Sequence, residues 1–324
     1  MNSNSLSAIS LSAIYGGAVK ARNALYDVRW LRSRSLQGPV VSVGNLSTGG
    51  SGKTPFVILL GELFKARGIR FDALSRGYGR KTHGVLQVDP SGLPFDFGDE
   101  PLLIARRLQV PVVVGEDRYK AGSFAESRFG PQVHLLDDGF QHRRLARDFD
   151  IVLVTPEDAR DRLLPAGRLR ESTRALRRAD VVVLASGASP EAFPIAGKTV
   201  WRVRRGIQTE GLAQMQTRPV VFCGIARPQS FLLQLRAAGI DPMAEALYRD
   251  HHAYTEKDIR DLLQLGQRSG AGGFITTEKD AVNLGTHLSA LAPLAVVPVK
   301  MELADAADAV DTMLRVIEKR RGKS

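Results

Sequence analysis

Thr48, Gly49, Gly50, Ser51, Gly52, Lys53 and Thr54 form a run whose residue types suit the capture of a phosphate chain. Glycines let the backbone turn successive N–H groups inward on phosphate oxygens. A lysine adds a point charge toward the β and γ groups, and a threonine hydroxyl is a magnesium ligand. The strict pattern would place a glycine at position 47, where this chain has Ser47. A flexible glycine-serine linker has the same composition. The flanks favour phosphate: the run lies between Val40, Val41 and Val43, a β-branched strand, and PFVILLGELFKARG, whose apolar residues recur at helical spacing. Pro55 fits a first helical turn, where its missing N–H has no intrahelical partner.

Phosphoryl transfer also needs a cation site and a group that takes the acceptor's proton. VHLLDD, residues 133–138, reads as a hydrophobic strand ending in Asp137 and Asp138, which suits a magnesium ligand beside a phosphate loop. Asp138-Gly139 is equally a good turn dipeptide. Two further places carry acid–base groups: GDEP, with Asp99 before a helix, and DHH, with His251 and His252. Locally, Asp99 reads as a helix N-cap ahead of Glu100 and Pro101, and the histidines as a polar loop before the capping-box-like TEKD. The arginines between 160 and 178 lack the aromatic interleaving of single-strand nucleic-acid binders; phosphate contacts or a solvated helix face account for them.

These groups need a rigid frame, and the chain supplies short apolar runs alternating with helical stretches. The runs at 69–74, 110–114, 133–136, 151–154 and 181–184 are apolar on consecutive residues, as strands covered on both faces are. The fold class expected is α/β: a P-loop NTPase-like parallel sheet with helices on both faces, its ligands at the carboxyl ends of the strands. Composition shifts near 186–198, and a second, smaller α/β domain follows, with a strand at 219–223, a helix at 228–238 and a strand at 273–276. The stretches 200–205 and 295–300 are expected to pair as a two-stranded linker, after which the last helix, 304–320, returns to the first domain. The segmentation is therefore an N-terminal helical region at 1–36, a phosphate-loop domain at 37–199 rejoined by 302–324, and a second domain with linker strands at 200–301.

At 324 residues the chain suits about two domains, and its 44% hydrophobic content supports a substantial core. The single cysteine, Cys223, excludes an intramolecular disulfide and a multi-cysteine zinc site; it reads as a small hydrophobe in a reducing compartment. Lysine and arginine outnumber aspartate and glutamate by 45 to 34, a net charge of +11 that points to anionic partners. No apolar run reaches the roughly 20 residues of a membrane span. Leu6, Ile9, Leu11, Ile14, Tyr15, Ala18 and Val19 precede Lys20, Arg22, Arg29, Trp30, Arg32 and Arg34, the reverse of a signal peptide's order. That pattern suits a helix lying on an anionic membrane and, equally, one packed on the protein's own core.

VGNLSTGGSGKTP, LSRGYGR, GDEP, LLDDGFQH, LLPAGRLRE, DHH and TTEKDAVNL occur in this order from near residue 39 to near residue 284. Together they resemble the tetraacyldisaccharide 4′-kinases, which phosphorylate the lipid A precursor of Gram-negative bacteria. The resemblance implies two α/β/α domains, a membrane-contacting N-terminal helix, ATP and Mg2+ as cofactors, and an acylated glucosamine disaccharide 1-phosphate as acceptor. It assigns Lys53 and Thr54 to the nucleotide phosphates and magnesium, with Asp138, Asp137 and Glu171 near the metal. Asp99 becomes the catalytic base, supported by His251 in preference to His252. Asn45, Arg76, Gln141 and His142 become acceptor or supporting positions, and Ser47 is usual for that family's loop. Bringing Asp99 and His251 together from two domains is expected to need closure. The expected setting is the cytoplasmic face of the inner membrane, peripheral, with no obligate protein partner. A nucleotide-dependent switch or chaperone is the alternative from another class. A nucleic-acid-dependent ATPase ranks last, since no recognition module is present.

Overall fold

The computed structural model of the chain describes residues 3–208, 212 and 218–322, with side chains from residue 8 onward within the first helix, so the Leu6 side chain lies outside the described residues. Helix α1 is Ser3–Asp27. Strand β1, Val40–Asn45, leads through the phosphate loop into α2, Lys53–Ala66. Then come β2, Phe71–Ser75; β3, Leu86–Gln87; α3, Pro94–Phe97; and α4, Asp99–Leu108. Strand β4, Val112–Val114, precedes α5, Arg118–Phe129, and β5, Val133–Asp137. Strands β6, Phe149–Val154, β7, Val181–Leu184, and β8, Thr199–Ile207, complete this half.

The second half has β9, Val220–Cys223; α6, Pro228–Ala237; β10, Ala244–Leu247; and α7, Glu256–Ser269. It ends with β11, Phe274–Thr277; α8, Glu278–Leu284; β12, Leu294–Val297; β13, Val299–Leu303; and α9, Ala306–Arg321.

Among the described residues the larger sheet has nine strands in the order β13-β8-β7-β6-β1-β5-β2-β4-β3, and the smaller has four in the order β10-β9-β11-β12. The strands of the large sheet run parallel except β3 and β13, which pair antiparallel at its two edges. The small sheet is wholly parallel. The valine- and leucine-rich strands are buried because helices cover both faces. One core packs α2, α4 and α9 on the large sheet, and a second packs α5 on its other face.

Two expected boundaries move. Residues 295–300 do not form one linker strand: β12 belongs to the small sheet beside β11, and β13 pairs with β8 in register from Val299↔Ile207 to Leu303↔Val203. Pro298, which has no N–H to give a strand ladder, divides the run into its two strands. The strand expected from 69 starts at Phe71, because the Gly68 and Ile69 N–H groups still bond to Lys65 and Phe64 and close α2.

Helix α1 meets both alternatives halfway. Its polar edge is docked: Ser12 Oγ donates to the Leu163 carbonyl at 2.9 Å, Tyr15 to Arg170 O at 3.0 Å, and Asn23 Nδ2 to Glu171 at 2.6 Å. Ile9, Leu11 and Ile14 face outward with Val28 and Trp30. No helix among the described residues is long and apolar enough to cross a membrane.

Candidate active site

Strand β1 delivers the phosphate loop at the carboxyl edge of the large sheet. Gly49, Gly50 and Gly52 have φ of 73°, 66° and 86°, the left-handed region that turns backbone N–H groups toward a common centre. The loop's shape is set from beneath by Asn45, whose Nδ2 donates to Ser47 O at 2.8 Å and to Ser51 Oγ at 2.7 Å. Gln141 Nε2 in turn donates to Asn45 O at 2.9 Å, and the Thr48 N–H to Arg168 O at 2.8 Å. Asn45 is fully buried, so it holds the loop and presents nothing to an acceptor. Lys53 opens α2 and stands 3.6 Å from Asp138 Oδ1.

Parallel register aligns the ends of β1 and β5, with Val43 opposite Asp137, so the carboxylates emerge beside the loop. Asp138 sits at φ 51°, a strained setting for a residue other than glycine, and accepts both arms of the Arg170 guanidinium at 2.7 and 2.8 Å. Burial by itself would raise its carboxyl; Lys53 and Arg170 reverse this and hold it far below the carboxylate range. Asp137 is the opposite case. Burial, then the nearby charges of Glu100 and Asp138, push it up to about 7. Its Oδ2 accepts from Ser75 Oγ at 3.1 Å, while its buried Oδ1 has no hydrogen-bond partner. An unpaired carboxylate oxygen among other carboxylates is what a divalent cation would satisfy, so Asp137, Asp138 and Thr54 fit a magnesium ion. Among the described residues no three of Asp, Glu, His and Cys converge into a cage.

Across from the loop, the small sheet and α4 meet. Gly98, not Asp99, caps α4, at φ 90°; a side chain there would strike the Tyr78 carbonyl at 2.8 Å. Asp99 is thereby the first helical residue, and its Oδ1 accepts from the Glu100 N–H at 2.9 Å. Its Oδ2 lies 2.8 Å from His251 Nδ1 and accepts from Asn283 Nδ2 at 3.2 Å. Lys279 Nζ is 3.8 Å from the same oxygen. Burial opposes the Asp99 charge, but these partners overcome it and lower its carboxyl; the same carboxylate overrides burial at His251 and raises the imidazole. His251 has φ 58° and lines the cavity, with Asp99 behind it at 5% exposure. His252 instead bonds Asp258 at 3.2 Å and stacks on Tyr248. No closure is needed to bring Asp99 and His251 together here: α8 lies on α4, and Arg107 Nη1 grips both Glu278 oxygens at 2.8 and 2.9 Å.

Glu171 does not join the acidic group. Both its oxygens accept from Arg178 at 2.9 Å, and Asn23 adds a third bond, so its charge is spent at the base of α1. Arg76 is exposed on the cavity wall beside Tyr78. His142 lies outside that wall, its buried Nε2 without a partner. Burial, then the Arg118 charge, lower it to about 4. A folded value below the unfolded one of roughly 6.5 means that protonation favours unfolding, so this contribution to stability is lost as pH falls through that window. His142→Asn is expected to flatten the acid side of the stability curve between those pH values, measured by urea unfolding; an unchanged curve would refute the assignment. Cys223 is buried and its thiol is pushed up to about 12 by burial, as a packing residue's would be.

Glu100, Arg170, Lys279 and Asn283 also surround the site and carry no chemical signal of their own in the sequence. All but Glu100 lie in LLPAGRLRE or TTEKDAVNL, strings that marked the region without separating the residue that faces the site from its neighbours.

Lys53, Asp138, Arg170, Arg205, His251 and Lys279 share one cavity of about 620 Å³. Burial lowers the Arg205 guanidinium and Arg227 repels it, so this wall is poised for an anion. A phosphate loop on a parallel sheet, facing an Asp–His pair over a cavity lined with lysines and arginines, defines a P-loop phosphotransferase. The sequence model of the tetraacyldisaccharide-1-P 4′-kinases (LpxK) matches residues 5–318, and the chain belongs to that family. A tetraacyldisaccharide 4′-kinase of Koribacter versatilis is 49% identical over 96% of this chain and 99% of its own. One from Geobacter metallireducens is 38% identical over 91% and 93%. The crystal structure of the Aquifex aeolicus LpxK "apo" form in complex with ATP aligns at TM-score 0.77 and 34% identity, covering 95% of this chain and 98% of that one.

Proposed function

We propose that this chain transfers the γ-phosphate of ATP to the 4′-hydroxyl of a tetraacylated glucosamine disaccharide 1-phosphate, giving the lipid A precursor lipid IVA. The observation that carries the reading is the single cavity walled by Lys53 and the phosphate loop on one side and by His251 with Asp99 behind it on the other. The 4′-oxygen bonds the γ-phosphorus as the bridge to the β-phosphate breaks, and the hydroxyl proton passes to the Asp99–His251 pair. Lys53 and the loop N–H groups take the charge developing on the phosphoryl oxygens. Thr54, Asp137 and Asp138 would hold magnesium, which neutralises phosphate charge when bound. Arg76, exposed at the cavity mouth, suits an anionic group of the acceptor.

The same reading divides the chain into a helical region at 1–36, a phosphate-loop domain at 37–199 with 302–324, and a second domain at 200–301. It gives α1 a peripheral place on the cytoplasmic face of the inner membrane. Outward Ile9, Leu11, Ile14 and Trp30, next to Lys20, Arg22, Arg29 and Arg32, support contact with anionic lipid. No protein or nucleic-acid partner is required.

The test is transfer of labelled γ-phosphate from ATP to the purified disaccharide lipid in mixed micelles, with and without magnesium. Label in the lipid, dependent on the divalent ion, is expected. Nucleotide-dependent capture of a protein with no lipid labelling would replace this reading with a switch or chaperone.

A further inference from the structure

Lys279 sits in the first turn of α8, whose start is fixed by Thr277 Oγ1 accepting from the Asp280 N–H at 3.2 Å. Asp280 ties that turn to the neighbouring strand end by accepting the Gly224 N–H at 2.7 Å. The lysine is thus aimed by backbone structure. Its Nζ lies 2.8 Å from Asp250 Oδ1 and 3.2 Å from His251 Nε2. The other imidazole nitrogen, Nδ1, is 2.8 Å from Asp99 Oδ2. The imidazole is therefore held between an ammonium and a carboxylate.

An ammonium has donors and no acceptor, so an Nε2 that bonds it at 3.2 Å does so through its lone pair, and this contact is shorter than the 3.7 Å from Nε2 to Asp250 Oδ2. We propose that Lys279 is a positioning residue that locks His251, when neutral, in the tautomer protonated on Nδ1, with that proton donated to Asp99 and the lone pair of Nε2 held by the Lys279 ammonium on the cavity wall. This rests on the Asp99–His251 pair accepting the sugar hydroxyl's proton. Lys279 defines which protonation state of the pair meets the acceptor.

The alternative tautomer would point an Nε2–H at the ammonium and leave two lone pairs, on Nδ1 and Asp99 Oδ2, facing each other at 2.8 Å. Deprotonating Lys279 would relieve the first clash, but the lysine is held charged. Burial works against that charge, and Asp99, Glu100 and Asp250 together overcome it. The groups facing His251 are Asp99 from α4, Asp250 from its own loop, Lys279 from α8 and the Tyr78 ring, whose centroid is 5.4 Å away. Of the charged groups, Lys279 alone opposes an imidazolium. Taking it away raises the tendency of His251 to protonate and of Asp99 to lose its charge.

The test pairs a spectroscopic readout that needs no turnover with a kinetic one. In wild-type protein carrying 15N-labelled histidine, the His251 resonances, assigned by their loss in His251→Gln, are expected to show a protonated Nδ1 and an unprotonated Nε2 on the alkaline side of the imidazolium titration, which Asp99 raises. In Lys279→Met that signature is expected to give way to imidazolium or the other tautomer, while Lys279→Arg, which keeps charge and donors, preserves it. Kinetically, Lys279→Met is expected to lower kcat by roughly tenfold or more, with KM for the nucleotide changed by less than about threefold. Its acid limb should move to higher pH, and Lys279→Arg should return it. A neutral ring protonated on Nε2 in wild type overturns the proposal, even if Lys279→Met fails to fold. So does an acid limb in Lys279→Met that coincides with wild type. Absence of lipid phosphorylation by wild type would instead sink the functional reading, with the tautomer still measurable.

Discussion

Lys53→Ala is expected to lower phosphoryl transfer by about a thousandfold or more, the scale on which one charged donor aimed at a transferring phosphoryl group acts. Lys53 is only 12% exposed in its side chain and is held at the start of α2 by the loop that precedes it. Its charge is therefore already in place and needs little reorganisation as the transition state forms. It also counters the buried Asp138 charge; in its absence Arg170 and Arg118 remain as the cations acting on that carboxylate, and Asp138 becomes easier to protonate. Two effects are thus removed at once, which is why a conservative Lys53→Arg is not expected to rescue: a planar guanidinium does not fit a point-charge site. Single-turnover transfer at saturating nucleotide and lipid separates chemistry from binding. Activity within about tenfold of wild type would remove Lys53 from the transition state and leave the loop a structural turn.

The second large effect is at Asp99. Asp99→Asn keeps the shape and an acceptor for Asn283, but removes the charge that favours a proton on the Asp99–His251 pair. A loss of roughly 10²–10⁴ in kcat is expected, with little change in nucleotide affinity. Stability should change in a directed way. The folded value of Asp99 is depressed, so the wild-type residue contributes stability present above its unfolded value of about 3.9 and lost as pH falls through the folded one. The variant should therefore be less stable near neutrality and converge with wild type in acid. Near-full turnover by Asp99→Asn would move the proton acceptor to another group and leave the phosphate site standing.

Both effects concern residues that could be named from the chain alone, yet by different routes. Lys53 was legible physically, because strand, glycines, lysine and helix are contiguous and their conformations are local. Asp99 was not: its local context reads as an N-cap, and only the family resemblance raised it. The structure shows Gly98 taking the cap, which frees the Asp99 carboxylate to face His251 across 152 positions of sequence.

Sequence by itself determined the buried parallel strands, the phosphate loop and the paired carboxylates of β5, since hydrophobic runs, glycine placement and strand-end position are properties of short segments. The tertiary structure alone decided how charges are shared. Glu171 is consumed by Arg178, Asn45 is turned inward beneath the loop, the run at 295–300 is divided between two sheets, and Lys279 is delivered to His251. A carboxylate or an ammonium has no intrinsic role. Its function follows from which opposite charge lies within about 4 Å in a medium drier than water, and the packing of α8 on α4 and of α1 on the 163–171 segment sets those distances.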